Sequence, residues 1–397
     1  MVFERKTTLP SRKRILVLHL AGRYPLGGMG WQAAHYLVGL KRLGHDVFYV
    51  EDSGAPPYDP RTRSVVEDCA YGVDFVRRTM ERFDLGDRWA YWDENGNRNR
   101  CYGLDRGRLL ALYGEADALV NLCGATRLRE EHLRCPVRIY VETDPVHEQV
   151  RLAEGNPQTR AFLDAHTHHA TYGENLGQPG CPIPLPRYAW TATRPPVVLD
   201  LWDYRPDPAC EALTTVATLK NVGKDVRYGG ETYYWSKDGN FRRFAGLPAR
   251  TAQPLELALD TEDAAVRAEF AARGWRLADA YRHSADLDAY AGYVQRSRGE
   301  FTVAKDIYAR TRSGWFSDRS VCYLAAGKPV ITQDTGFSKL VPSGRGLFAF
   351  DSLEEAAEAV REMNRDYTAH CRAARVLAAE CFGSDAVLRD LLASAGL

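Results

Sequence analysis

No run of apolar residues in this 397-residue chain reaches the length of a bilayer span. Net charge is also missing: 52 basic residues balance 52 acidic ones, which gives no support for nucleic acid or a strongly anionic membrane as partner. Nine cysteines, at positions 69, 101, 123, 135, 181, 210, 322, 371 and 381, include no Cys-x-x-Cys pair. Their odd number and irregular spacing fit free thiols in a reducing compartment, not a disulfide frame or a zinc site. There is no repeat of solenoid length and no low-complexity segment. The apolar run 15–21 follows a basic start but is short and lacks a cleavage pattern, so it reads as a buried strand rather than a signal peptide. These absences lead to the expectation of a soluble cytoplasmic protein.

What is present is a chain of 45% hydrophobic and 26% charged residues, too long for one ordinary α/β core and suited to two. Strand and helix signals alternate. Strands are expected at 15–20, 47–50, 118–122, 138–141 and 170–172, with helices at 31–43, 64–83, 106–113 and 156–165. Prolines crowd 177–208 and mark a linker. Strands resume at 213–217, 275–279, 299–303, 330–331 and 346–348. Helices are expected at 260–272, 286–297, 318–326, 353–364 and 368–382, and a last one from 384. Such alternation implies parallel strands with crossover helices, hence two Rossmann-like doubly wound α/β domains facing a cleft. The expected division is 1–195, 196–380 and a C-terminal helix, 381–397, packing back on the first domain.

Four stretches carry candidate chemistry. The first is Ser313–Phe337. Ser317 stands at an N-cap position before Asp318, Arg319 and Ser320, Gly327 and Pro329 end the helix, and a buried strand runs into Gln333-Asp334-Thr335-Gly336. A helix N-terminus suits an anion, and Arg319 adds a fixed charge. The second is the loop 23–30 with Gly27 and Gly28, read as a phosphate-facing loop or as a tight strand-to-helix turn. The third is Glu142 and Asp144 after an apolar strand, placed to take a proton, although Asp144 before Pro145 also suits a helix cap. The fourth is a set of cations, Lys220, Lys224, Lys237 and Lys305, each of which is also an ordinary surface lysine by type. His19, near the end of the first strand, is either a base or a buried hydrogen-bonded histidine. His166, His168 and His169 do not form a coherent metal-ligand set, because neighbours in a strand point to opposite faces.

The run 313–337, the segment Gly299–Lys305, the Gly-Gly loop and Gly44-His45-Asp46-Val47 together resemble the GT-B-fold glycosyltransferases of the group 1 type. That resemblance implies a nucleoside-diphosphate sugar held by Ser317, Asp318, Arg319 and Ser320. Gln333, Asp334, Thr335 and Gly336 would lie near the sugar. Gly27, Gly28, Lys220, Lys237 and Lys305 would lie near the phosphates, and Asp144, Glu142 or His19 would serve as base. It implies no bound metal and no cofactor beyond the donor, with a small molecule or glycan as acceptor, and it is compatible with a homodimer. Where the group 1 pattern has two glutamates eight residues apart, this chain has Gly314 and Cys322, so inversion or retention stays open. A non-catalytic sugar-nucleotide binder, an epimerase and a phosphorylase are the rival readings. Abundant alanine and arginine suggest a high-GC bacterial source.

Overall fold

The structure, a computed structural model, describes residues 12–94 and 99–397; the basic start before residue 12 lies outside them. Two sheets organise the chain. In the first, the strand order is Trp190–Ala192, His168–Thr171, Val137–Glu142, Ala118–Leu122, Arg14–Leu18, Asp46–Glu51, Trp89–Asp93, Arg100–Gly103. All its pairings are parallel except the last, a hairpin. The second sheet runs Arg276–Asp279, Leu255–Leu259, Leu213–Ala217, Gly299–Thr302, Val330–Gln333, Leu347–Phe350, entirely parallel. The strands are near-continuous apolar runs because crossover helices cover both faces. Leu255–Leu259 and Trp89–Asp93 were not among the expected strands. Nor were the helices Glu130–Leu133, His147–Ala153, Asp238–Phe244 and Asp306–Thr311 among those expected.

The first helix starts earlier than its sequence suggests. It spans Gly27–Arg42, so the glycines form its opening turn rather than a loop. The reason is a close crossing between the two halves. Gly27 N donates to Ser284 O at 2.6 Å. A Cβ at Gly27 would stand 2.4 Å from Asp286 O and 2.6 Å from Tyr290 Cβ, at the start of the helix Leu287–Arg296. Trp31 completes the contact, its indole N–H donating to Leu287 O at 3.0 Å.

The chain also returns to its start. The final helix, Ser384–Ser394, lies along the first helix, where a Cβ at Gly39 would meet Leu388 Cδ1 at 2.5 Å. Val197 N donates to Phe382 O and Ser384 N to Val197 O, at 2.7 and 2.9 Å, which ties the segment between the sheets to this junction.

Gly27→Ala should therefore destabilise the protein by about 1–3 kcal/mol through backbone displacement. Gly28→Ala, whose Cβ meets nothing nearer than the Tyr290 ring at 3.7 Å, should shift the urea midpoint little. Equal midpoints for the two variants would contradict the crossing as described.

Candidate functional site: two cavities with a shared wall

Both sheets point their carboxyl ends at the space between them, where doubly wound folds bind ligands. Two cavities occupy it. The smaller, about 420 Å³, is built mainly by the second sheet. Val216, Ala217 and Thr218 end one strand, Asp260 and Ala280 follow two others, and Ser317, Asp318 and Arg319 open the helix Asp318–Ala325. The larger, about 1030 Å³, is built mainly by the first sheet. Leu20, Cys123, Thr143 and Asp144 all follow its strands. Leu26, Met29, Gln32, Asn221, Trp315 and Asp318 line both.

Three cations, Lys237, Lys305 and Arg319, line the smaller cavity together with the carboxylates Asp260 and Asp318. Ser317 sits at the N-cap with extended backbone, yet its side chain makes no capping bond, so the first turn faces the cavity uncapped by the protein. Arg319 is fixed from behind: Nε donates to Glu300 Oε1 at 2.5 Å, and its two NH groups donate to Val216 O and Thr302 Oγ1, each at 2.8 Å. Lys237 is buried on the same cavity wall, and its ammonium makes no hydrogen bond or ion pair to any described residue. Burial, with Arg319 and Lys305 close by, holds its ammonium well below the ordinary lysine range. A hairpin of the first half reaches over this cavity through Tyr58 and Pro60. Beside it Arg63 grips the second half through Asp260 at 3.2 Å and Glu262 at 3.0 Å.

Asp144 lines the larger cavity and is held from the opposite half. Lys305 Nζ lies 2.9 Å from its Oδ1, and the Tyr308 hydroxyl donates to the same oxygen. Although burial works against it, the charges of Lys305 and Lys224 keep this carboxyl far below its usual range. Lys305 also sits 3.7 Å from the centroid of Trp235. Lys224 lines the larger cavity, and the carboxylates of Asp144 and Glu148 raise its pKa against the effect of burial.

Several expected site residues lie elsewhere. Glu142 lines neither cavity. Gln149 Nε2 donates to both its oxygens, at 3.0 and 2.8 Å, and Thr171 Oγ1 donates at 2.6 Å. Burial, and then Glu148, push its carboxyl well up. His19 is buried one residue behind the cavity, with Nε2 2.8 Å from Gln32 Oε1; burial lowers its pKa to about 4. Gln32 Oε1 only accepts, so Nε2 carries the proton. Lys220 is exposed and lines neither cavity, and Ser320 is buried in its helix. Gly27 is a packing contact, whereas Gly28 lines the smaller cavity.

Gln333–Gly336 turn inward. Gln333 Oε1 accepts from Ala304 N, Asp334 Oδ1 from Gly336 N, and Thr335 Oγ1 donates to Trp315 O. Asn175 Nδ2 bonds Gly336 O at 3.0 Å, so the loop joins the halves without reaching a cavity. His166 and His169 are hydrogen-bonded to Phe162 O and Leu163 O. Gln32, Trp315, Asn221 and Asp260 escaped the sequence reading. Only Asp260 carried a signal, as an acidic residue after an apolar run, and it was taken for the start of a helix over 260–272.

No family model and no curated protein matches the chain. Solved structures do match it. AviGT4, described as a glycosyltransferase involved in avilamycin A biosynthesis, is 12% identical, with 97% of each chain covered and a TM-score of 0.55. An alpha-glucosyltransferase in complex with UDP and a 13-mer DNA is 10% identical, covering 98% of this chain and 100% of its own, with a TM-score of 0.58. Sucrose-phosphate synthase from Thermosynechococcus elongatus is 12% identical over 96% of this chain and 100% of its own, with a TM-score of 0.55. The chain has the GT-B fold. Its two cavities lie in the GT-B cleft, one against each sheet, and Asp144 with Lys305 bridges that cleft.

Asp144→Asn leaves Lys305 uncompensated beside Lys224 and Lys237, and should cost about 3 kcal/mol of stability. Lys305→Met should cost less than that, and the double variant less than the sum, since one interaction is lost once. The Asp144 carboxyl is depressed in the folded state, so its contribution is complete above about pH 4 and fades as pH falls below that. Urea unfolding of the four proteins at pH 7 and pH 3 checks both statements; additive losses would refute the coupling.

Proposed function

We propose that the protein is a glycosyltransferase that moves a sugar from a nucleoside-diphosphate sugar in the smaller cavity to an acceptor in the larger one. Lys237 carries the reading. An ammonium buried without a partner is costly, and this one lies on a cavity wall beside an uncapped helix start. Both favour an anion, such as a diphosphate. Among the similar structures, three of an alpha-glucosyltransferase are described as complexes with UDP, and a fourth as a complex with UDP and glucose.

The donor diphosphate would lie against Lys237, Ser317 and the first turn 318–320, with the Arg319–Glu300 ion pair holding the wall behind it. Its nucleoside would extend toward Asp260 and Ser284. Fixed cations and backbone N–H groups stabilise the charge that grows on the leaving diphosphate and need no reorganisation to do so. The acceptor would occupy the larger cavity, whose aromatic residues Tyr24, Tyr140, Phe162 and Trp235 offer faces for a sugar ring or another flat apolar surface.

Thermal shift against UDP, GDP, ADP, CMP and dTDP should give a clear rise with one diphosphate, worth about 2.7 kcal/mol at a hundredfold excess over Kd. Lys237→Met should move two readouts in opposite directions. Without ligand it should be more stable than the native protein by about 0.5–2 kcal/mol, because a buried uncompensated charge is gone. With the diphosphate it should bind at least about tenfold more weakly, a difference of about 1.4 kcal/mol. Unchanged diphosphate affinity in this variant would contradict the donor site.

A further inference from the structure

The shared wall of the two cavities settles where a donor in one can meet an acceptor in the other. Of its six residues, Leu26, Met29, Gln32, Asn221, Trp315 and Asp318, only Asp318 can take up a proton in the accessible pH range. We infer that Asp318 is the general base of the transfer, the group that receives the acceptor's proton as the new glycosidic bond forms. The inference rests on the glycosyltransferase reading above and assigns a role that the sequence pattern gave to Asp144, Glu142 or His19.

The three bases expected from the sequence are placed badly for the task. Glu142 and His19 line neither cavity. Asp144 faces the larger cavity, but one of its oxygens is held by both Lys305 and Tyr308, which leaves a weakly basic carboxylate. Asp318 faces the opposite environment. Its carboxyl bonds Gln32, its own backbone N–H and, through Oδ1 at 3.5 Å, the Tyr172 hydroxyl, all neutral groups, and no cation pairs with it. The groups turned toward it are Gln32 and Tyr36 of the first helix, Cys123, Asp144, Tyr172 and Cys322. None of these is a cation, and one is a carboxylate. Burial, together with Asp144, raises the Asp318 carboxyl to about 6. Two carboxylates with environments that push them apart divide the labour: the low one holds charge, and the high one exchanges protons near neutrality.

The balance is simple. The acceptor O–H bond breaks and its proton passes to an Asp318 oxygen. The acceptor oxygen bonds to the anomeric carbon, while the bond from that carbon to the phosphate oxygen breaks. The nucleoside diphosphate leaves with that electron pair, and Asp318 returns its proton to solvent.

The test uses the whole protein, with UDP-glucose, UDP-galactose and UDP-N-acetylglucosamine as donor probes and water as acceptor. UDP release is followed from pH 5 to 9, and UDP binding by calorimetry. The native rate should rise through about pH 6, where Asp318 ionises, and then level. Asp318→Asn should lose about a hundredfold or more in rate together with the acid limb, while binding UDP as well as the native protein or better. Asp318→Glu should recover part of the rate and restore an acid limb, which a merely structural role would not do. An Asp318→Asn rate within about threefold of native, or an acid limb that survives in it, would overturn the inference. UDP binding by the native protein with no release from any probe would also overturn it, leaving the donor site standing. Absence of binding by the native protein to any of UDP, GDP, ADP, CMP and dTDP would instead bring down the donor reading itself.

Discussion

One ion pair sets the electrostatics of the cleft. Lys305 crosses from the second half to Asp144 of the first, with Tyr308 on the same oxygen. The pair fastens the two sheets' carboxyl ends together and consumes a carboxylate that lines the larger cavity. It also consumes the charge of Lys305, a cation that would otherwise seek other anions. Lys237 is then left on the wall of the smaller cavity with no anion of its own, and Asp318 on the shared wall with no cation of its own. Both are held away from their ordinary pKa values chiefly by burial, in opposite senses. A folded chain tolerates such groups where function uses them.

The two halves are held by more than that pair. Gly27 against Ser284 and Asp286, Trp31 against Leu287, and Asn175 against Gly336 place backbone and side-chain bonds all around the cleft. Arg63 adds a grip from the hairpin above the smaller cavity. These contacts describe a closed cleft, the geometry in which water is kept from an activated donor.

Much of the fold was legible because parallel strands buried on both faces read as apolar runs followed by capped helices. The helix Asp318–Ala325 was read to within a residue, from Ser317, Gly327 and Pro329. Leu255–Leu259 was not read as a strand because Glu256 and the acidic run after it match the start of a helix. The site was legible only where it is local. Ser317, Asp318 and Arg319 share one helix start and were found together. Gln32 and Asn221 meet them from two distant stretches, and no spacing in the chain announces that convergence, whereas Trp315, two residues before Ser317, was passed over within the same run. Glu142 was misjudged because the helix His147–Ala153 was unseen; Gln149 on that helix covers the carboxylate and turns it from the cleft. The Asp-x-Gly segment 334–336 was misjudged for a similar reason, since Asn175 and Trp315 absorb its polar groups.

The central claim is that the unpaired ammonium of Lys237 marks a diphosphate site. A crystal structure of the protein soaked with UDP tests it most directly. The account predicts the β-phosphate within about 3 Å of Lys237 Nζ and of the backbone N–H groups opening the helix Asp318–Ala325, with the uracil toward Ser284. A nucleotide bound with its phosphates in the larger cavity, or bound with Lys237 still unpaired, would contradict it.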